Sequence, residues 1–221
     1  MNRLEGLIFK VQPYQENSKL LQVLTPRGKI SIVAKGSQKL NSNDRFLSQY
    51  LTRIEFDDTK DKTFITLKNA KLIDAYEEIK QDLKKMRFAG LVLEIISKIY
   101  IDENSEKVYD LAISALKFNI IAVSSLNFAI KVLYYLGYGP SLIGDGNKVK
   151  GFNISKGSIV YETEDLTLDL NYQETIILLK LAYQKIDELE DIENKDVEVI
   201  KDFIYKYYLD KIDLRIKILE T

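Results

Sequence analysis

The sequence predicts an α+β protein in which a small β-barrel is followed by a helical domain. Residues 3–73 contain five strand-like runs separated by turn-forming residues. From Ile79 onward the apolar residues recur at helical spacing instead. The formal charge is +5 up to Ala75 and −6 beyond it, so the near-neutral total of −1 hides two modules of opposite sign. These observations predict two domains, at residues 1–75 and 76–221.

The five strand-like runs of the first domain are Leu4–Val11, Lys19–Leu24, Lys29–Lys35, Phe46–Phe56 and Thr63–Lys68. The turns between them are supplied by Pro13, by Pro26-Arg27-Gly28 and by the polar residues 57–62. Five short strands in about 70 residues, with no amphipathic helix between them, are typical of a closed or nearly closed barrel such as the OB-fold. That fold frequently binds single-stranded nucleic acid, so the barrel is predicted to be a nucleic-acid-binding domain.

The stretch from Asn17 to Asn43 contains five cations and no acidic residue. In the third strand Ile30 and Ile32 alternate with Lys29 and Ser31, so we expect one face to pack and the other to offer ammonium groups to solvent. Residues 36–43 are rich in Gly, Ser and Asn and are predicted to form a flexible basic loop. The candidate nucleic-acid contacts are Lys19, Arg27, Lys29, Lys35, Lys39 and Arg45. The alternative interpretation of this basic run is a solvated surface without a ligand.

Two aromatic residues, Phe46 and Tyr50, follow the predicted basic loop. Aromatic rings beside cations can stack on unpaired bases. For Phe46 we expect packing inside the barrel instead, because the residue begins the predicted fourth strand.

Apolar residues predict three helices between Phe88 and Leu136, the last of which ends at Leu136-Gly137-Tyr138-Gly139-Pro140. An insertion at residues 138–170 contains a predicted hairpin at residues 152–161. Two further helices, through Ile176–Ala182 and Val197–Ile212, follow it. The second domain is therefore predicted to be helical with a small β-hairpin insertion.

The chain contains neither Cys nor His. Disulfides, thiolate zinc sites and the commonest catalytic base are therefore excluded, which argues against Ser-His-Asp and Cys-His enzymes. Gly144-Asp145-Gly146 lacks the lysine and preceding strand of a phosphate-binding loop. We expect no catalytic residues and no cofactor. The N-terminus lacks the apolar core of a signal peptide and no apolar run is long enough to span a membrane, so we expect a cytoplasmic protein without a membrane partner.

Four segments carry a resemblance to a known family. They are Glu5-Gly6 opening the first strand, Glu16-Asn17-Ser18 before the second, the run from Leu24 to Gly36 that continues into Lys39-Leu40-Asn41-Ser42, and Leu136-Gly137-Tyr138-Gly139-Pro140. Their order and spacing resemble those of the bacterial RecO family of recombination mediator proteins over nearly the whole chain. Many members carry two Cys-x-x-Cys pairs that form a zinc module in the insertion. Here residues 141–161 contain no Cys, and Tyr161 stands where a cysteine is expected. The insertion is predicted to lack zinc and to be held by apolar packing of Phe152, Ile154, Ile159 and Val160.

The resemblance implies a non-enzymatic DNA repair and recombination mediator. Such a protein binds single- and double-stranded DNA, anneals complementary strands and, with RecR, helps RecA replace the single-stranded-DNA-binding protein SSB. The resemblance also implies that the helical domain receives the acidic, hydrophobic-ended tail of SSB, for which the candidate contacts are Lys211, Arg215 and Lys217. Two alternatives remain open from the residues: a generic OB-fold single-stranded nucleic-acid-binding protein without a mediator role, and a nuclease that uses carboxylates with Mg²⁺.

Overall fold

The computed structural model describes residues 3–42, 44–58, 64–101 and 103–220. The chain divides into two compact units. The first comprises Met1–Met86 and Leu93–Ile113, and the second comprises Arg87–Val92 and Ser114–Thr221.

The first unit contains a six-stranded sheet formed by β1 (Arg3–Tyr14), β2 (Ser18–Thr25), β3 (Gly28–Ala34), β4 (Thr52–Asp57), β5 (Phe64–Thr66) and β6 (Lys71–Asp74). Its strand order is β5-β3-β2-β1-β4-β6. The β3–β5 pair is parallel and the other pairs are antiparallel. β5 and β6 are the two edge strands of this order, yet only residues 67–70 separate them along the chain. The two edges of the sheet are therefore held next to each other. The sheet therefore closes into a barrel, and the predicted OB-fold is confirmed.

Two of the predicted strand boundaries are corrected by the structure. The predicted fourth strand begins at Thr52 instead of Phe46, because Asp44–Leu47 forms a one-turn helix, α1. The predicted fifth strand is divided into β5 and β6, since its first part pairs with β3 and its second part with β4. Thr63, where that strand was predicted to begin, and residues 59–62 of the predicted turn lie outside the described residues.

The barrel core is built from alternate residues of the paired strands, principally Leu21, Val23, Ile32, Ala34, Ile54 and Phe56. Pairs such as Ile8 with Val23 point inward, whereas the next pair, Leu7 with Leu24, points to the opposite face. Gly6 is required in β1 because a Cβ there would collide with Cγ1 of Val23. Leu7 and Leu24 are nevertheless fully buried, so the outer face of this part of the sheet is also covered.

Helical residues of the same unit lie against that outer face. The unit includes α2 (Glu77–Lys80) and parts of α3 (Leu83–Lys98) and α4 (Ser105–Lys117). The Asp82 carboxylate caps α3 by accepting from the backbone N–H groups of Lys84 and Lys85. In α4, the Tyr109 hydroxyl accepts a hydrogen bond of 3.1 Å from Nε of Arg53 in β4. The outer face of the barrel is thus partly a helix-packing surface.

The second unit contains α5 (Ile121–Tyr135), α6 (Tyr172–Tyr183) and α7 (Asn194–Ile212). The predicted end of the third helix is confirmed: Gly137 adopts the left-handed conformation at φ 83°, and the Tyr138 N–H donates to the Leu133 carbonyl at 2.8 Å. The predicted hairpin is also confirmed. It is formed by β7 (Val149–Asn153) and β8 (Ser158–Tyr161), and β9 (Leu170–Asn171) pairs with β7.

Apolar packing of this hairpin was predicted from the sequence, and the structure shows that the hairpin packs against α7. Phe152 is fully buried, and its ring lies 5.4 Å from the Phe203 ring in an edge-to-face arrangement and 6.1 Å from the Tyr207 ring. Ile154, Ile159 and Val160 are buried as well. Within the described ranges, no group of three or more acidic side chains is placed to hold a metal ion. No described helix is long and apolar enough to cross a membrane.

Candidate nucleic-acid interface

The segment between β3 and β4, described at residues 35–42 and 44–51, is fixed by hydrogen bonds. The Gln38 N–H donates to the Asn17 carbonyl at 3.1 Å, and Nε2 of Gln38 donates to the Ser18 carbonyl at 2.6 Å. The buried Ser37 hydroxyl donates to the Ala34 carbonyl at 2.7 Å. The loop predicted from the sequence is therefore not irregular in its described residues. They form a series of hydrogen-bonded turns anchored to the β1–β2 turn.

This segment presents three exposed cations, Lys35, Lys39 and Arg45. Within the part of the chain that the structure describes, none of the three forms an ion pair. Lys19 lies beside them, because it pairs with Ala34 in the β2–β3 ladder and its Nζ donates to the Ser48 carbonyl at 3.1 Å. Burial, together with the charge of Arg45, lowers the pKa of Lys19. We call Lys19, Lys35, Lys39 and Arg45 the cationic patch.

Arg27 and Lys29 lie at the other end of the β2–β3 hairpin, roughly 20 Å from the cationic patch at about 3.3 Å per residue. Arg27 forms an ion pair with Asp58. Nζ of Lys29 donates to the Ile99 carbonyl at 2.5 Å and lies 5.6 Å from the centre of the Phe9 ring. The expectation that this face offers its ammonium groups to solvent is wrong for Lys29. Its cation instead neutralises the C-terminal end of α3.

Lys29 carries a testable pH dependence, since burial lowers its pKa from 10.5 to about 8. At pH values between about 8 and 10.5, Lys29 is mostly protonated in the unfolded chain and mostly deprotonated in the folded chain. The free energy of unfolding therefore rises with pH through this window, relative to a Lys29→Met variant that cannot titrate at this position. Urea unfolding of both proteins from pH 7.5 to 10.5 measures this difference. A constant difference between them would contradict the burial of the ammonium group.

Phe46 lies in solvent beside the cationic patch, with 47% of its surface exposed. The expectation that it packs inside the barrel is wrong, because α1 turns its neighbour Leu47 toward the core instead. Tyr50 is 38% exposed, and burial together with the charge of Glu94 raises its pKa. The sequence signal for α1 is the polar run Ser42-Asn43-Asp44, which is typical of a helix start.

The three candidate tail contacts lie in the last turn of α7 and in the segment that follows it. Nζ of Lys211 donates to the Ser155 carbonyl at 3.0 Å and pairs with Asp210 at 2.9 Å. Arg215 pairs with Glu220. Lys217 begins a short 3₁₀ turn, Lys217–Leu219. Lys211 and Arg215 are thus already paired with carboxylates.

A shallow depression in the second unit was not predicted from the sequence. It has a volume of about 240 Å³ and is lined by Lys131, Tyr134, Tyr135, Ala182 and Tyr183. Nζ of Lys131 donates to the Gln184 carbonyl at 2.6 Å, and burial lowers its pKa. The sequence gives little sign of this depression, because tyrosines at helical spacing, such as Tyr134 and Tyr135, usually pack in a core or against a partner.

Comparison with known proteins places this barrel in a family. Residues 1–76 match the family model described as Recombination protein O N terminal. The DNA repair protein RecO of Caldicellulosiruptor bescii is 30% identical over 62% of this chain and 58% of its own length. The barrel therefore belongs to the RecO N-terminal family. All four residues of the cationic patch lie within the matched N-terminal segment.

Other RecO relatives extend the similarity. The DNA repair protein RecO of Clostridium perfringens is 31% identical over 61% of this chain and 57% of that protein. This match and the one to Caldicellulosiruptor bescii therefore cover less than two thirds of those relatives. A match to the DNA repair protein RecO of Clostridium acetobutylicum covers 92% of this chain and 91% of that protein, at 23% identity.

Proposed function

We propose that this protein is a DNA repair and recombination mediator. It binds single- and double-stranded DNA, anneals complementary strands and, with RecR, helps load RecA onto SSB-coated DNA. The observation that carries the proposal is the cationic patch on a closed OB-fold barrel that matches the RecO N-terminal family. The relatives that the chain matches are named DNA repair proteins, which supports the same role.

The chemistry of the cationic patch suits annealing. Bringing two strands together requires a surface that neutralises two phosphate backbones without reading the bases. Three of the four cations are lysines, whose flexible point charges make sequence-independent phosphate contacts and release counterions. Arg27 and Lys29 are engaged by Asp58 and by the end of α3, so the proposed DNA path runs over the opposite end of the β2–β3 hairpin.

The charge of the rest of the chain supports this path. Residues 76–221 carry a formal charge of −6, which repels phosphates from the remaining surface. The role requires no catalytic residue and no cofactor, in keeping with a chain that contains neither Cys nor His.

The proposed function is tested by strand annealing in the presence of EDTA. We expect the protein to accelerate annealing of complementary oligonucleotides without a divalent cation, both for bare strands and for strands coated with SSB. A generic OB-fold protein would not accelerate annealing of the coated strands. Cleavage of either strand on addition of Mg²⁺ would support the nuclease alternative instead.

We further propose that the second unit binds the SSB tail through Lys211, Arg215 and Lys217. The surrounding charge is acidic, so a local cluster of cations must overcome a general repulsion, and the binding is expected to be weak. Co-purification of the chain with RecR and with SSB tests both partners directly.

Changing Arg215 and Lys217 together to Glu should weaken binding of a labelled SSB-tail peptide to the full chain by tenfold or more. The reason is that two attractive charges become repulsive. Fluorescence anisotropy measures the affinity, and Lys131→Glu is the comparison variant. If Lys131→Glu abolishes binding while the double variant retains it, the tail lies in the tyrosine-lined depression and the proposed contacts are wrong.

A further inference from the structure

Phe46 is unusual among the phenylalanines of this protein. The seven others whose side chains the structure describes are buried or half-buried, whereas Phe46 is 47% exposed. Leaving this apolar ring in water forgoes burial that would otherwise stabilise the fold. The exposed ring lies beside the cationic patch, where a ligand that covered it would restore the lost burial.

Two cations lie close to the turn that carries this ring. Arg45 precedes Phe46 directly, and Nζ of Lys19 binds the carbonyl of Ser48, two residues after it. The turn that carries the ring is fixed, because the Ser48 N–H donates to the Asp44 carbonyl at 2.9 Å and the Arg45 N–H donates to the Ser42 carbonyl at 3.0 Å. The ring is therefore presented on ordered backbone, and little conformational entropy is lost when a ligand contacts it.

We propose that Phe46 stacks on an unpaired base of a DNA strand whose phosphates are bound by the cationic patch. The inference rests on the proposed function and adds a preference for single strands to it. Cations attract the phosphates of single and double strands alike, whereas an aromatic face can stack only on a base that has left the duplex. The occupant is nucleic acid because the ring belongs to the segment that presents Lys35, Lys39 and Arg45, three exposed cations that form no ion pair within the described residues.

The first test compares the affinities of Phe46 variants for an oligothymidine and for a duplex of equal length. Phe46→Leu keeps an apolar side chain but removes the aromatic face. We expect it to lose roughly tenfold in single-strand affinity, equivalent to about 1.4 kcal/mol, within the range for stacking of one base. Duplex affinity and the salt slope should remain unchanged. Phe46→Tyr retains the aromatic face and should restore single-strand binding.

Tyr138→Ala is the matched control, since Tyr138 is 49% exposed but belongs to the second unit. This change should leave both affinities unaltered. Circular dichroism of every variant checks that the fold is kept.

The second test uses Phe46→Trp as a local reporter, which is possible because the chain contains no Trp. Stacking of a thymine on the indole should quench its fluorescence when oligothymidine is added, while duplex should cause little quenching. This measurement reports contact with the ring even if the affinity changes are small.

The outcomes separate this inference from the proposed function. If wild-type protein binds duplex with a steep salt dependence but Phe46→Leu binds single strands as well as wild type does, base stacking is refuted and the DNA-binding role stands. Equal loss of both affinities, or a tryptophan that no strand quenches, also refutes stacking. If wild-type protein binds neither form of DNA at low salt, the proposed function itself fails.

Discussion

Changing Lys35, Lys39 and Arg45 together to Gln is expected to flatten the salt dependence of DNA binding by about 2 to 3 units of slope. Each lost phosphate contact removes roughly 0.7 to 0.9 units, because fewer counterions are released on binding. The affinity should fall to a similar extent for unrelated sequences, since these residues neutralise phosphates and do not read bases. Fluorescence anisotropy with single- and double-stranded oligonucleotides at several salt concentrations measures both quantities.

Two controls isolate the contribution of the cationic patch. Changing Lys117, Lys150 and Lys185 to Gln makes the same change in net charge at exposed positions of the second unit and should leave the slope intact. Arg27→Gln should also have little effect, because Arg27 already pairs with Asp58. Retention of the full slope by the triple patch variant would mean that the patch is only a solvated surface.

Replacing Phe152 with Ala is expected to lower the free energy of unfolding by about 3–5 kcal/mol, the usual cost of emptying a fully buried phenylalanine site. The change removes the edge-to-face contact with Phe203 and the contact with Tyr207 that attach the hairpin to α7. Urea unfolding followed by circular dichroism measures the loss. Tyr138→Ala, at an exposed position of the same unit, should stay within about 0.5 kcal/mol of the parent.

EDTA should leave the melting temperature of the parent protein unchanged, because apolar packing holds the insertion and the chain contains no Cys or His to bind zinc. A fall in melting temperature with EDTA would show that carboxylates hold a stabilising metal. A small effect of Phe152→Ala together with such a fall would overturn the packing account of the insertion.

Local patterns in the sequence were sufficient to predict most of the fold. The strand-period alternation of Ile30, Ile32 and Ala34 requires that they share a face, and the structure places them toward the barrel core. Gly137 and Pro140 stop a helix through their own backbone preferences, so the end of α5 was predictable too. Because the insertion lacks cysteines, apolar packing of Phe152, Ile154, Ile159 and Val160 was predicted, and all four are buried.

The sequence by itself determined that a cationic segment lies on an OB-type barrel, because charge and strand period are properties of neighbouring residues. Only the tertiary structure decided which cations remain available. Lys29 binds a carbonyl 70 positions away and Arg27 pairs with a carboxylate 31 positions away. Phe46 is exposed because a single helical turn directs Leu47 to the core in its place. Such partners meet only when the chain closes on itself, and periodicity carries no information about contacts at that range.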